Sequence, residues 1–286
     1  MTVKIAIGQM NSADRHAPNV AAMEGFAAEA AAAGAKMLCL PEVAGLMNRN
    51  AAEAKTMVGP AANDPYIAAA QRAAQRHAIW LHAGSTPVSG PGEKFLNHSV
   101  LIAPDGRIAA EYDKIHLFDV ALQGARPIGE SKRFDAGNSA PVVATEFGPL
   151  GLTICYDLRF PGLYRALAQA GAEILFVPSA FTVPTGAAHW EVLLRARAIE
   201  CGAFVIAAAQ VGQHADGRHT WGHSLVIDPW GKVLLDLGGT APGLGVVEID
   251  SSAVVQARSQ IPSLEHDRNY HIERIELLPD NDALSK

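Results

Sequence analysis

The feature that most constrains the fold of this chain is a series of short apolar segments alternating with helical segments. Val3–Gln9 alternates as a strand does, and the Ala-rich stretch Pro18–Ala33 carries helix start and stop signals. Met37–Leu40 is a short apolar run typical of a buried strand. A helix over Pro65–His77 and a strand over Ala78–Gly84 follow. This order predicts a largely parallel or mixed sheet covered by helices.

The second half of the chain has the same layout. Strands are predicted at Leu152–Ile154, Ile174–Pro178 and Phe204–Gln210, with helices at Pro161–Ala170 and from about Ala187 to Cys201 between them. No Ser/Gly-rich linker or charge run separates the halves, so we expect one domain built from two similar α/β halves.

Two turn sequences predict hairpins, one in each half. Phe95–Ile102 and Ile108–Tyr112 flank Pro-Asp-Gly-Arg, and 224–227 and 232–237 flank Asp-Pro-Trp-Gly. Sheet is therefore expected in both halves. The chain after Ser251 is expected to hold one more helix and then a polar segment.

Composition narrows the class of protein. Of 286 residues 49% are hydrophobic and 18% charged, which excludes disordered and coiled-coil classes, and the net charge of −6 argues against nucleic acid and anionic membranes as partners. The longest apolar runs fall short of the roughly 18 residues of a membrane span, and the first ten residues do not resemble a signal peptide. The three cysteines form no paired motif. We expect a cytoplasmic protein that acts on small molecules.

Cys155 is a candidate nucleophile because it follows an apolar strand directly. A thiol at a junction between strand and helix is expected to point outward, and the positive end of a helix beginning at Pro161 would favour the thiolate. Position alone leaves catalysis and a core role equally open. Cys39, inside a strand, and Cys201, at a helix end, are expected in the core.

Two charged residues also stand at strand ends. Glu42 follows Leu40-Pro41, where it can be a general base or a capping or surface carboxylate. Lys114 lies among aromatic and apolar neighbours that are unusual for a solvated lysine. Glycine-rich cofactor loops and His-Glu-x-x-His are missing from the sequence. We interpret the three histidines between positions 214 and 223 as loop and strand-end residues rather than metal ligands.

The three motifs together resemble those of one enzyme family. Glu42 after Leu-Pro, Lys114 in Tyr-Asp-Lys-Ile-His-Leu-Phe-Asp and Cys155 in Ile-Cys-Tyr-Asp-Leu-Arg-Phe-Pro match, in order and spacing, the Glu-Lys-Cys signature of the nitrilase, or carbon-nitrogen hydrolase, superfamily. The resemblance runs from Lys4 to Ile261. It is greatest to the Nit subgroup, and there to amidases of deaminated glutathione rather than to ω-amidases.

This resemblance implies a four-layer αββα sandwich of two mixed sheets, with a hydrolase domain at 1–262 and a C-terminal tail at 263–286. It implies amide hydrolysis without metal or cofactor. By motif, Glu42 is the general base, Cys155 the nucleophile, and Lys114, with the backbone N–H of Tyr156, the stabiliser of the oxyanion. Glu130 fits the family's second glutamate.

The resemblance also bears on substrate and assembly. Tyr156 and the residue after it follow the amidase pattern rather than the Trp-Glu pair of true nitrilases. Arg159 occupies a place where carbamoyl-amino-acid hydrolases of the superfamily bind a carboxylate, and it either does the same here or forms a structural ion pair. Phe181 is a further expected substrate-binding residue. Helices from Pro161 and Ala187 commonly form the dimer interface of the superfamily, so we expect a homodimer or larger homo-oligomer.

The expected substrate is a small ω-amide of a 2-oxo acid, such as deaminated glutathione or α-ketoglutaramate, cleaved through an acyl-thioester with release of ammonia. An N-carbamoyl amine or amino-acid hydrolase, a nitrilase and a catalytically silent scaffold remain alternatives. The sequence departs from the subgroup at Gly162, where Glu is usual, and in part of the segment 261–270.

Overall fold

The computed structural model describes residues 2–121 and 127–275. In these ranges the chain forms six α-helices and seventeen strands, each numbered in chain order. The helices are α1 His16–Ala32, α2 Ala51–Met57, α3 Pro65–His77, α4 Pro161–Gln169, α5 Val183–Cys201 and α6 Ser252–Gln260.

The first sheet has seven strands in the order β17-β1-β2-β3-β5-β4, with β6 beside β5. Its strands are β1 Thr2–Gln9, β2 Met37–Cys39, β3 Trp80–His82, β4 Thr86–Ser89, β5 Phe95–Ile102, β6 Ile108–Asp113 and β17 Gly243–Asp250. The pairs β1·β2 and β2·β3 are parallel, and the predicted hairpin β5·β6 is antiparallel, so the sheet is mixed.

The second sheet has six strands in the order β16-β15-β12-β11-β10-β9. Its strands are β9 Val142–Val143, β10 Leu150–Leu152, β11 Ile174–Phe176, β12 Phe204–Ala207, β15 Leu225–Ile227 and β16 Val233–Asp236. Strands β10, β11 and β12 are parallel, and the predicted hairpin β15·β16 is antiparallel. Two short antiparallel ribbons pair β7 Asp119–Val120 with β8 Ile128–Gly129, and β13 Val211–Gln213 with β14 His219–Trp221.

The period-two alternation of the strands divides the core into layers. Ile5 and Cys39 of the first sheet pack in one cluster with Leu152 of the second sheet, whereas their strand neighbours Ala6 and Leu38 pack with the buried faces of α1 and α3. The central strands β2 and β3 of the first sheet are thus buried on both faces, between the second sheet and a helical layer. Helices α4 and α5 pack on the second sheet, and the predicted αββα sandwich is confirmed.

Strand β17, helix α2 and helix α5 are among the elements that differ from the sequence-based expectation. Strand β17 was not predicted, because its two glycines and its half-exposed residues blur the alternation, yet it pairs with β1 along eight residues. Helix α2 was not predicted either; Asn50 accepts hydrogen bonds from the first turn of this short helix. Helix α5 begins at Val183 instead of about Ala187, with Pro184 in its first turn. Within the described ranges, no helix is long and apolar enough to cross a membrane.

Candidate active site

The three motif residues that the sequence singles out meet where strands of the two sheets end. Glu42 lies beyond the carboxyl end of β2, Lys114 directly follows β6, and Cys155 lies beyond β10. Strands β2 and β10 belong to different sheets, so the packing of the two sheets against each other brings the chain segments after them together. All three side chains are buried: 5% of Glu42, 2% of Lys114 and 7% of Cys155 is exposed.

The loop that carries Glu42 is shaped by a close approach of two backbone segments. A Cβ at Gly84, which has a φ of +67°, would lie 1.9 Å from the carbonyl oxygen of Pro41, so only glycine fits there. Ser85 Oγ accepts a hydrogen bond from the N–H of Val43, at 2.8 Å. Gly84 and Ser85, which follow β3, therefore hold the backbone on either side of Glu42 by close packing and a hydrogen bond.

The carboxylate of Glu42 is held by three further donors. Oε1 accepts from Asn97 Nδ2 at 2.9 Å and from Lys114 Nζ at 2.8 Å, and Oε2 accepts from the N–H of Ala180 at 2.9 Å. The Cys155 thiol also hydrogen-bonds this carboxylate. Burial alone would raise the pKa of Glu42, but the charge of Lys114 and these hydrogen bonds outweigh burial and hold it below its ordinary value. Glu42 is therefore ionised and can accept a proton.

Lys114 lies between two carboxylates. Its Nζ is 2.8 Å from Glu42 Oε1 and 2.8 Å from Glu130 Oε2. Glu130 Oε2 also accepts from the N–H of Phe118 at 2.6 Å, which fixes the second carboxylate. Burial disfavours the ammonium, but Glu130 and Glu42 together raise the pKa of Lys114 well above its ordinary value. The site thus holds a permanent cation beside the thiol.

Cys155 has a strained backbone. Its φ of +51° is uncommon for a residue with a side chain, and its N–H donates to the carbonyl oxygen of Pro178 at 3.0 Å. Burial, and then the negative charge of Glu42, raise the pKa of this thiol well above its ordinary value. The expectation of an outward-pointing thiolate stabilised by a helix end is therefore wrong. Helix α4 begins six residues further on, and a buried carboxylate is the nearer influence.

Asp157 fixes the turn that carries Cys155. Its Oδ2 accepts from the N–H of Ile154 at 2.8 Å and from the hydroxyl of Tyr112 at 2.6 Å. Its Oδ1 accepts from the N–H of His116 at 3.0 Å and lies 2.7 Å from that residue's Nδ1. The fully buried carboxylate thereby ties the nucleophile turn to the segment around Lys114.

Glu42, Lys114 and Cys155, here called the triad, line a cavity of about 600 Å³. Tyr156 and Phe181, both predicted to bind substrate, line it together with Glu130. Arg159 is not among the described residues of the lining. Its guanidinium lies 5.6 Å from the ring centroid of Phe181 and 5.9 Å from that of Tyr156. The structure therefore places Arg159 beside two lining side chains without making it one of the described lining residues.

Of the other cysteines and histidines singled out from the sequence, His219 is among the described residues that line the cavity, whereas Cys39, Cys201, His214 and His223 are not. Cys39 and Cys201 are buried in the core, as predicted, and burial raises the pKa of Cys201 to about 11. His214 is buried between the carbonyl oxygen of Ser12 and the hydroxyl of Thr220. In the described ranges, no group of three or more His, Cys, Asp or Glu residues could hold a metal ion.

Sequence reasoning missed Asn97 and Asp157. Asn97 Nδ2 bridges Glu42 and Glu130, at 2.9 and 3.4 Å, but it stands inside β5 with no local signal of function. Asp157 stands two residues after the nucleophile inside the family motif, and that position could have indicated it.

Comparisons with known proteins agree with this geometry. The carbon-nitrogen hydrolase family matches residues 4–259. A deaminated glutathione amidase from Synechocystis is 43% identical over 263 residues, which cover 90% of this chain and 95% of that protein. The crystal structure of the C. elegans NitFhit protein superimposes with a TM-score of 0.86 at 38% identity, covering 93% of this chain; the chain spans 65% of the length of NitFhit.

An amidase from Nesterenkonia sp. AN1 is similar at 28% identity with a TM-score of 0.75, covering 91% of this chain and 98% of that one. One structure of that amidase shows the Michael addition of acrylamide at its active site cysteine.

Proposed function

The chain belongs to the carbon-nitrogen hydrolase family, and on that premise we propose that Cys155 cleaves the amide of a small carboxylate-bearing acid through an acyl-thioester. The resemblance predicted from the three motifs is confirmed by the match to 4–259 and by the relatives named as amidases. The chain is accordingly a hydrolase of carbon-nitrogen bonds, and the reading as a silent scaffold is not supported.

One observation carries the assignment of roles. An ionised carboxylate, Glu42, hydrogen-bonds the thiol of Cys155 and at the same time lies 2.8 Å from the ammonium of Lys114. A neutral thiol beside an ionised base is the resting state that general-base activation of a nucleophile requires. The cation is then next to the carbonyl oxygen of any amide whose carbon approaches Sγ.

In the acylation half-reaction, Glu42 takes the thiol proton as Sγ bonds to the amide carbon. The carbonyl oxygen becomes an oxyanion stabilised by Lys114 Nζ and by the N–H of Tyr156, which is the second residue of the turn 155–159 and has no partner within that turn. Glu42 then returns the proton to the departing nitrogen. The C–N bond breaks and an acyl-thioester remains on Cys155.

In the second half-reaction, a water molecule loses its proton to Glu42 and adds to the thioester carbon. The same donors stabilise the second oxyanion, and when the C–S bond breaks the thiolate regains its proton from Glu42. The products are a carboxylate and a free amine. Glu130 keeps Lys114 charged and oriented throughout, consistent with its 2.8 Å contact. Side chains of this protein supply every proton transfer, so the scheme needs no cofactor.

The proposed substrate is deaminated glutathione or a related ω-amide of a 2-oxo acid, because the most similar curated relatives carry that activity in their names. In deaminated glutathione the nitrogen of the scissile amide belongs to a cysteinylglycine dipeptide. Cleavage would then release that dipeptide and 2-oxoglutarate. The ammonia release expected from the sequence applies to primary amides such as α-ketoglutaramate.

A product panel tests this function. Purified protein is incubated with deaminated glutathione, α-ketoglutaramate, an N-carbamoyl amino acid and a simple nitrile, and the amine and acid products are quantified. We expect the highest kcat/KM for one of the two 2-oxo acid amides. A preference for the carbamoyl compound or the nitrile would refute the proposed substrate. The protein would then be an N-carbamoyl hydrolase or a nitrilase, respectively.

We also propose that the protein is a homodimer or larger homo-oligomer in the cytoplasm. Val192 and Ile199 on α5, together with Trp230, are more than half exposed apolar side chains that a second subunit would cover. The three cysteines are free, as in a reducing compartment. A monomer by light scattering would contradict the proposed assembly.

Finally, we propose a boundary between the hydrolase domain 1–262 and a tail 263–286. Arg165 of α4 donates to the carbonyl oxygen of Ser263 and pairs with Asp267, so the beginning of the tail contacts the domain at its surface. Residues 276–286 lie outside the described ranges. Truncation after Pro262 should leave amidase turnover within about threefold of the full chain.

A further inference from the structure

Two arginines that the sequence analysis did not single out line the cavity above the triad. Arg133 ends the short turn that begins at Glu130, its N–H donating to the Glu130 carbonyl oxygen at 2.9 Å. Arg218 stands in the turn between β13 and β14, 85 residues later in the chain. Both line the same cavity as Cys155.

The guanidinium of Arg133 is held rigidly by main-chain acceptors. Its two terminal nitrogens donate to the carbonyl oxygens of Asn48 and Arg49, each at 3.1 Å. Its Nε is buried and has no hydrogen-bond partner in the described part of the chain. Each terminal nitrogen carries a second N–H beyond the one donated to the main chain, so this fixed cation keeps donors for an acceptor in the cavity.

Arg218 is positioned by an ion pair with Asp216. Its Nε lies 2.8 Å from Asp216 Oδ2, and its N–H donates to Oδ1 of the same residue at 3.0 Å. This ion pair orients the guanidinium through Nε, which leaves the edge formed by its terminal nitrogens to face a ligand.

The charges in the cavity are unbalanced. The described lining residues include four cations, Arg49, Lys114, Arg133 and Arg218, and two carboxylates, Glu42 and Glu130, which both lie 2.8 Å from Lys114. Asp216, outside the lining, pairs with Arg218 at 2.8 Å, which leaves the cations in excess by one. Burial and then the charge of Arg218 lower the pKa of Arg133, while Asp216 acts in the opposite direction, so the two guanidinium groups are near enough for electrostatic repulsion. An anion between them would relieve this repulsion, in a chain whose overall charge is −6.

We propose that Arg133 and Arg218 together form the subsite that binds a carboxylate group of the amide substrate. The inference rests on the proposed function, because it concerns the substrate of that same site. Planar guanidinium groups suit a carboxylate through paired hydrogen bonds. Arg159, for which the sequence left carboxylate binding and a structural ion pair open, contacts the rings of Tyr156 and Phe181 and is not among the described lining residues.

The test compares matched substrates on Arg133→Gln, Arg218→Gln and the double variant. Succinamate against butanamide probes a carboxylate on the acyl side, and deaminated glutathione against its C-terminal amide probes one on the leaving group. Arg107→Gln is the control, since Arg107 is an exposed residue that pairs with Asp105 on a surface turn. Circular dichroism melting checks that each variant is folded.

We expect each single variant to lose about 10- to 100-fold in kcat/KM on a carboxylate-bearing substrate, mainly through KM. In the pair that probes the bound carboxylate, turnover of the member that lacks that carboxylate should stay within about threefold, and Arg107→Gln should leave both members unchanged. Selective loss within the first substrate pair assigns the subsite to the acyl side, and within the second pair to the leaving group; either outcome supports the proposal. Equal losses on the two members of both pairs, or no loss in either pair, would overturn it.

Wild-type behaviour separates the two proposals. If the wild-type enzyme hydrolyses these amides and the arginine variants behave like wild type, only the carboxylate subsite is wrong. If the wild-type enzyme releases amine from none of the four substrates, the proposed function itself fails.

Discussion

The segments after β2 and β10 each hold a proposed catalytic residue in place, but through different contacts. Each has a non-glycine residue with a φ of +51°, Val43 in the first and Cys155 in the second. In the first segment, the functional residue Glu42 precedes the strained position and is held through its own carboxylate by Asn97, Lys114 and Ala180. In the second, the nucleophile itself occupies the strained position.

The nucleophile is held through its main chain. Its N–H donates to Pro178, and Asp157 accepts from the N–H of the preceding residue. This difference suits the two roles. A base is useful when its carboxylate is fixed and ionised by surrounding donors, whereas a nucleophile needs a fixed backbone and a sulfur that remains available to the substrate. The following predictions test this contrast, beginning with the largest expected effect.

Cys155→Ala removes the sulfur that forms the covalent bond to the substrate in the proposed mechanism. We expect kcat/KM to fall by at least about 10⁴-fold, because no acyl-thioester can form. Amine release from the preferred amide measures the loss. Cys201→Ala, another buried cysteine, should stay within about threefold of wild type, and equal losses in the two variants would refute the nucleophile assignment.

Glu42→Gln keeps the shape of the side chain at the first strand end but removes the base. We expect a loss of about 10²- to 10⁴-fold in kcat, since the thiol proton then has no acceptor. Rapid quenching followed by mass spectrometry should find no acyl-enzyme accumulating in this variant. Normal acylation by the variant would show that the base is another group.

Lys114→Met tests the cation between the two carboxylates. We expect about 10²- to 10³-fold lower kcat/KM, from the loss of one oxyanion donor and of the charge that keeps Glu42 ionised. The pH at which activity falls on the acidic side should rise in this variant, because the Lys114 charge holds the pKa of Glu42 down. An unchanged acidic limb would contradict that coupling.

Asp157→Asn weakens the main-chain support of the nucleophile without touching the triad. We expect the unfolding free energy to fall by about 2–3 kcal/mol and kcat by about tenfold, because a buried ionic acceptor is lost. Thermal melting and steady-state kinetics measure the two effects. Asp113→Asn, which alters a carboxylate paired with His98, is the control. Full activity in Asp157→Asn would mean that the strained backbone does not depend on this contact.

The smallest effect is expected from pH. Glu42 has a pKa lowered below its ordinary value of 4.5, so its base form is lost only as the pH falls through that lowered value. Cys155 has a pKa raised above its ordinary value of 9.0, so the thiol stays neutral until the pH rises past it. A kcat/KM profile should therefore be flat, within about twofold, from roughly pH 6 to pH 9. A midpoint near neutrality would contradict the neutral-thiol resting state.

The alternation of apolar segments and the turn sequences predict much of the fold. They predict the hairpins β5·β6 and β15·β16 and the helix Pro65–His77, because hydrophobic periodicity and Pro-Asp-Gly-type turns act locally. Strand β17 is missed because its pairing with β1 joins residues more than two hundred positions apart. Its own residues are too glycine-rich and half-exposed to show a strand pattern.

The sequence by itself determined which residue types stand at the strand ends: Glu42 after β2, Lys114 after β6 and Cys155 after β10. Only the tertiary structure decided their chemistry. The neighbours that set the protonation of Glu42 are Lys114 and Asn97, 72 and 55 residues away along the chain. Protonation depends on distance and burial in space, so no local pattern could show that the buried thiol stays neutral or that Arg133 and Arg218 line the same cavity.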